Sequence, residues 1–338
     1  MFKNVYKYDD MKRAEHMAVR ENVGWYLWTH QLLEVTGSEA TAFLDHFFSG
    51  NVASLAVGRD RYTTMLNDQG EIIDDVVIFR MEEERYWVST LFASKMDDWF
   101  YDHSVSYDAD WSDISDDWHM FAVQGPRSRE VLNALVEGGV EELKFFAHAD
   151  GVIDGIHVMI NRSGFTGEKW GYEIYCAADD ADAIQERIAA ACEKAGGRQV
   201  TEFQVMAWTL PTEAGFYYMK DLAHKNPFEV GLENGICWDK DFVGKTALLK
   251  VRENGPRREM LGFVCLEDDH HIQGAHLGGV GDPVWVDGEC VGRVTKIVYS
   301  YVKDQNIGYL FARKGALHEG DHITVHGGEC VITGRKWL

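Results

Sequence analysis

At Asn254-Gly255-Pro256 this 338-residue chain changes its hydrophobic period, and that break limits the architectures open to it. Upstream, strand-like alternation and helix-like stripes take turns. Downstream, helical periodicity fades and turn pairs punctuate short alternating runs: Asp287-Gly288 joins PVWV to ECVGRV, and Gly327-Gly328 joins HITVH to ECVITG. Such pairs suit tight hairpin turns, so the tail reads as a small barrel or sandwich. The length suits two or three packed units of roughly 100–200 residues each. We therefore divide the chain into residues 1–253, mixed α and β in two subdomains, and residues 254–338, a C-terminal β-barrel, with an α+β fold as a whole.

Within the first part, residues 25–35 (WYLWTHQLLEV) alternate aromatic, β-branched and polar side chains and predict a strand ending at Gly37. Ser38 then caps a helix with Phe43, Leu44, Phe47 and Phe48 on one face and Gly50 as its stop. Strands follow at 61–66, 71–80 and 85–90, the first two joined by a turn at 67–70. Residues 91–103 read as a helix, MFAV before Gln124-Gly125-Pro126 as a strand, and Pro126 as the entry to a helix burying Val131, Leu132, Leu135 and Val136. A strand at 156–161, a turn at 164–169, a strand at 172–176 and helices at 180–194 and 244–251 complete this part.

The formal net charge of −22 repels phosphate backbones and anionic lipid heads, so nucleic acid and membrane surfaces are not expected as partners. An anionic ligand would need a locally positive or dipolar site. The six cysteines, Cys176, Cys192, Cys237, Cys265, Cys290 and Cys330, form no CxxC pair, which fits reduced thiols in a cytoplasm. Residues 1–22 are charged throughout, and no run of about 18 apolar residues occurs, so a soluble, unprocessed cytoplasmic chain is expected. The 11 tryptophans supply large rigid side chains to line a pocket. His270, His271 and His276 fall in a polar, Gly-rich loop without a matching second pair, so no metal is expected there. Gly278-Gly279-Val280-Gly281 does not form a strand-bound dinucleotide fingerprint.

Two places can carry chemistry. In RYTTMLNDQGEIIDDVVIF, adjacent strands joined by a tight turn can bring Tyr62 and Asp75 to one side of a pocket. Asp74 and Asp75 point to opposite faces, so one faces water and the other is buried, unless both belong to a surface pair. A carboxylate turned inward among Ile72, Ile73, Val76 and Val77 must find a donor or stay protonated. In GFTGEKWGYEI, an inward Glu173 can accept two N–H donors from a flat, amidine-like ring edge; turned outward it is an ordinary strand glutamate.

These segments, with VQGPRSREVL, TEAGFYY and KDFVGKTALL in the same order, resemble the glycine-cleavage T-protein family of aminomethyltransferases and its tetrahydrofolate-dependent demethylase relatives. The resemblance runs from about Ala14 to the end of the chain and includes the barrel-like tail. It implies three subdomains around a central cavity that admits tetrahydrofolate. On this match Asp75 takes the place of the catalytic aspartate near folate N5, Tyr62 that of the tyrosine beside it, and Glu173 that of the glutamate holding the pterin. Phe165 stands where the family has a tyrosine and keeps only ring packing. One extra residue, with Lys169 and Trp170 in the insertion, requires the turn to bulge if Glu173 is to keep its aim. Pro211 stands where the family has an arginine.

The segment FDVSH of the family is represented by Tyr26-Leu27-Trp28-Thr29-His30, a different substrate wall. NPFEVGL, at 226–232, is more similar to the branch of dimethylglycine and sarcosine enzymes, dimethylsulfoniopropionate demethylase and aryl methyl ether demethylases. The resemblance thus implies transfer of a methyl group from a small O-, S- or N-methylated substrate to tetrahydrofolate. Trp28, His30, Tyr217, Tyr218 and His224 are the expected substrate contacts, with His30 joining Asp75 in catalysis. A lipoyl carrier protein is not expected as a partner, and a homodimer is compatible with the sequence. The rivals are a glycine-cleavage aminomethyltransferase and a non-catalytic folate-binding protein. Relatives of the latter kind carry a Lys-Gly-Cys motif, which is missing around Cys237 in ICWDKDFVGK.

Overall fold

A computed structural model of the chain describes residues 6–28, 31–103, 107–266, 281–325 and 327–338. Three sheets organise these residues. The first runs in spatial order Arg198–Gln199, Gly24–Trp28, Trp118–Gln124, Gly171–Ala177, Ile156–Asn161 and His148–Ile153, antiparallel except for its first pair. The second runs Asp60–Leu66, Ile72–Glu82, Arg85–Thr90, Gln31–Thr36 and Asp110–Asp113, antiparallel throughout. The third runs Pro283–Val286, Glu289–Ser300, Gln305–Arg313, Arg258–Cys265, Gly328–Thr333 and His322–Val325. Its two edge strands lie against each other, so this sheet nearly closes into the expected barrel.

Helices cover the outer faces of the first two sheets. Ser128–Leu135 and Ala181–Lys194 bury Val131, Leu132, Ile184 and Ile188 against Phe121, Val123 and Ile174 of the first sheet. Ala40–Phe47 and Ala93–His103 bury Phe43, Phe47, Met96 and Phe100 against Val76, Ile78 and Val88 of the second. The inner faces of the two sheets then meet each other, with Tyr26, Met120 and Tyr175 packed against Phe79 and Trp87.

The expected strand at 25–35 is instead two, Gly24–Trp28 in the first sheet and Gln31–Thr36 in the second. Its alternation spans two cores: Trp25 belongs with Phe121, whereas Leu33 and Val35 belong with Phe43. Ser38 does not cap the next helix, because its hydroxyl donates to Asp108. A helix at Asp10–Glu21, capped by the Asp9 carboxylate on Lys12 N at 3.0 Å, was not expected from the sequence. NPFEVGL forms a capping box: Asn226 Oδ1 accepts from Phe228 N at 3.1 Å and Glu229 Oε2 from Asn226 N at 3.1 Å. All six cysteines are free. Among the described residues no helix is long and apolar enough to cross a membrane.

Candidate active site

Strand Ile72–Glu82 sends Asp74, Val76 and Ile78 toward the covering helices and Asp75, Val77 and Phe79 toward the first sheet. In the first sheet the same alternation sends Glu173 and Tyr175 toward the second. The rings of Phe79 and Tyr175 meet edge-on at 5.8 Å. Asn161, the cross-strand partner of Glu173, donates to Asp60 Oδ2 at 3.0 Å, and Asp60 shares its strand face with Tyr62. Asp75 and Glu173 are therefore both turned toward the interface between the two sheets.

Asp75 is half-buried. Burial drives its carboxyl up to about 6, opposed by the Tyr62 hydroxyl, and the Asp221 charge adds to the rise. Tyr62 donates to Asp75 Oδ2 at 2.9 Å, and burial next to that carboxylate holds its own proton well beyond the ordinary range. Asp74 does not face water, contrary to expectation: it is 1% exposed on the helix side, where Thr90 Oγ1 and the Asp75 N–H donate to it. Burial pushes it up to about 7, with Thr90 opposing and the Asp75 charge adding.

Glu173 is 5% exposed, and burial pushes it up to about 7 against the opposing hydrogen bond from Ser163 Oγ at 3.1 Å. Tyr26, Ala122, Glu173 and Asn161 stand in one row across the first sheet. The Tyr26 hydroxyl is buried without a hydrogen-bond partner among the described residues. A carboxylate with only hydroxyl donors, in one row with an unsatisfied hydroxyl, suits a ligand edge that offers both N–H groups and an acceptor.

The turn that aims Glu173 is locked by Gln124, whose Nε2 donates to the carbonyls of Ser163 and Tyr172, each at 3.2 Å, while Thr166 Oγ1 donates to its Oε1 at 2.9 Å. A Cβ at Gly164 or Gly171 would collide with that amide. Trp170 is held firmly in this turn. Its ring sits between the guanidinium groups of Arg129 and Arg162, at 4.0 and 4.1 Å, and its carbonyl accepts from Gly125 N and Ser128 Oγ.

Phe165 packs 4.9 Å from Trp28 and 6.0 Å from Tyr26, and Trp28 lies parallel to Phe203 at 6.0 Å. Trp28 and Tyr218 also line a cleft of about 590 Å³. The Tyr217 hydroxyl is committed elsewhere, donating to the Val230 carbonyl and accepting from Arg335. His224 is not brought to this region: its side chain is 88% exposed, 3.8 Å from Glu71. His30 and the histidines His270, His271 and His276 lie outside the described residues. Pro211 is buried at the start of the short helix Leu210–Glu213.

Two groups near the site were missed in the sequence. Asp60 is held by His148 Nδ1 at 2.5 Å and by Asn161, and adds to the rise of Glu173. Asp221 and Lys296, 0% and 1% exposed, form an ion pair between the short helix Met219–Leu222 and the barrel. A lysine alone in the apolar run TKIVYSY was the available signal for the second.

The profile of the GCVT N-terminal domain matches residues 2–240, and that of the glycine cleavage T-protein C-terminal barrel domain matches residues 258–333. The chain belongs to the glycine-cleavage T-protein family. The aminomethyltransferases of Thermotoga maritima and Thermotoga petrophila are each 32% identical to it over 314 residues, 92% of this chain and 84% of each relative. The glycine cleavage system aminomethyltransferase T from Bartonella henselae superposes with a TM-score of 0.85 over 97% of this chain and 89% of that one. At 22% identity this last likeness speaks for the fold alone. As a T-protein family member the chain is a folate-dependent one-carbon transferase with tetrahydrofolate as acceptor.

Proposed function

We propose that this enzyme moves a methyl group from a small O-, S- or N-methylated substrate to N5 of tetrahydrofolate, giving 5-methyltetrahydrofolate. What supports this reading most is that the Tyr62–Asp75 pair and Glu173 face the same sheet interface from opposite sides. Tetrahydrofolate supplies a nucleophilic secondary amine when bound. Glu173 and Tyr26 hold the pterin edge, Phe165 packs beside them, and Asp75 orients N5 and takes its proton. With a carboxyl near 6, Asp75 is ionised at neutral pH yet close enough to neutrality to accept a proton efficiently. Tyr62 remains protonated and fixes one carboxylate oxygen, leaving the other for the ligand.

Trp28 and Tyr218 form the substrate wall, Tyr217 stiffens it from behind, and His30 serves the leaving group where one needs a proton. Residues 1–253 carry the folate site and residues 254–338 buttress it. The chain works in the cytoplasm without a lipoyl carrier. The names of the Thermotoga relatives favour a second reading, aminomethyl transfer, for which the sequence resemblance implies a lipoyl carrier. Incubation with tetrahydrofolate and a panel of methoxyaromatics, methylated amines and sulfonium compounds, read by mass, separates the two. Formation of 5-methyltetrahydrofolate supports methyl transfer; methylenetetrahydrofolate from an aminomethylated lipoyl carrier, with no product from any methyl donor, supports the second reading instead.

A further inference from the structure

Glu173 belongs to a row that crosses the first sheet, Tyr26, Ala122, Glu173, Asn161 and His148, each the register partner of the next. Register partners point to one face, here toward the second sheet, where Tyr26 and Ala122 pack. Asn161 is 0% exposed. Its Nδ2 donates to Asp60 Oδ2 at 3.0 Å, but its Oδ1 has no hydrogen-bond partner among the described residues. An ionised carboxylate only accepts and an amide oxygen cannot donate, so Asp60 dictates which end of the Asn161 amide faces it. Asp60 is itself fixed: its N donates to the Phe146 carbonyl at 3.1 Å, and its Oδ1 is held by His148 Nδ1 at 2.5 Å. A strut between two sheets accounts for Nδ2 of Asn161. It gives no reason for the buried Oδ1, and a buried acceptor without a donor is costly.

We infer that Asn161 is a further pterin-binding residue, whose Oδ1 accepts an N–H of the exocyclic 2-amino group, and that Asp60 is the residue that positions it. The inference rests on the reading of Glu173 as the residue that holds the pterin, and adds a determinant of specificity at the same edge. A pterin presents, in order, the 4-oxo oxygen, N3–H and the two hydrogens of the 2-amino group. A carboxylate takes N3–H and the nearer amino hydrogen together. The oxo group then needs a donor on one side of that carboxylate, and the farther amino hydrogen an acceptor on the other. The row supplies both in this order. The Tyr26 hydroxyl, also buried without a hydrogen-bond partner among the described residues, stands on one side of Glu173 beyond the small Ala122, and Asn161 stands on the other.

This arrangement also sets what the site rejects. A ligand with a methyl group in place of the farther amino hydrogen leaves Oδ1 unpaired, and sites built on buried hydrogen bonds discriminate against such analogues more sharply than apolar pockets do.

Isothermal titration calorimetry of the full chain, with oxygen excluded, compares tetrahydrofolate with its N2-methyl derivative, which keeps one amino hydrogen for Glu173 and replaces the other by methyl. The wild type is expected to bind the derivative about tenfold more weakly or worse. In Asn161→Ala tetrahydrofolate should weaken while the derivative does not, bringing the two affinities within about threefold of each other. Lost support between the sheets alone would weaken both ligands alike and leave their ratio unchanged. Asp60→Asn, which lets the Asn161 amide turn, should lower the ratio in the same direction; a ratio held there removes Asp60 from its positioning role. Equal affinities in the wild type, a result that depends on no variant folding, or a ratio unchanged in Asn161→Ala would overturn the inference. Glu173→Gln separates this failure from that of the reading beneath it. Weakened tetrahydrofolate binding in Glu173→Gln, with no discrimination by the wild type, removes Asn161 alone. Tetrahydrofolate binding untouched by Glu173→Gln removes the pterin assignment and Asn161 with it.

Discussion

Replacing Asp75 by Asn keeps the shape of the side chain and the hydrogen bond from Tyr62 but removes the proton acceptor. Turnover should fall by about two to four powers of ten, the range for a positioned acid or base, while tetrahydrofolate binding changes little. In the wild-type protein kcat/KM should decline as pH drops below about 6, where the carboxylate takes up its proton. The same group sets a stability trend of determined sign. Its folded value lies above that of an unfolded chain, about 4, so the stabilisation is complete below about pH 4 and is lost as pH rises through about 6. Asp75→Asn removes that loss. Thermal unfolding without ligand should therefore show the variant melting above the wild type at pH 7.5, with the gap closing toward pH 4. A variant as active as the wild type would take Asp75 out of the mechanism.

The turn before Glu173 shows how an element keeps a side chain in place. The Trp170 ring lies between Arg129 and Arg162, its carbonyl holds Gly125 and Ser128, and Glu173 stands opposite Asn161 and Ala122. Trp170→Ala should release the bulge and spoil the aim of Glu173, raising KM for tetrahydrofolate about tenfold with kcat within about threefold, because the interaction lost is shared by the bound and transition states. Steady-state kinetics at varied folate concentration would reveal it, and an unchanged KM would separate Trp170 from pterin binding. At this scale the sequence was legible where one element serves one core. The strand at Ile156–Asn161 and the hairpin around Asp287-Gly288 stand where periodicity and turn residues put them. It was opaque where one run serves two cores, as in the split between Gly24–Trp28 and Gln31–Thr36, because alternation records only that one face is buried, not against which layer. The pairing of Asp60 with His148 and Asn161 was unreadable for a related reason: those residues are 88 and 101 positions apart, and only the closed sheets bring them together.

Across the whole molecule the three sheets are tied by buried charge as well as by apolar area. Glu213, 0% exposed, takes hydrogen bonds from His16, Arg20 and, through its other oxygen, Ser300 of the barrel. The Asp221–Lys296 pair makes a second tie, close enough to the site for the charge of Asp221 to act on Asp75. Buried pairs of this kind cost desolvation, so each partner is worth most for what its loss leaves exposed. Lys296→Met leaves the Asp221 carboxylate uncompensated at 0% exposure and should cost about 3–5 kcal/mol in urea unfolding. Adding Asp221→Asn retains an acceptor for Tyr218 N and removes the stranded charge, so the double variant should recover most of that loss. The enzymatic readout is independent of folding. With Lys296 gone, the field of Asp221 at Asp75 is no longer offset, so the acid limb of kcat/KM should move upward from about 6; in the double variant it should return to or below its original position. An acid limb that stays fixed in both variants would make the pair a purely structural strut between the barrel and the rest of the fold.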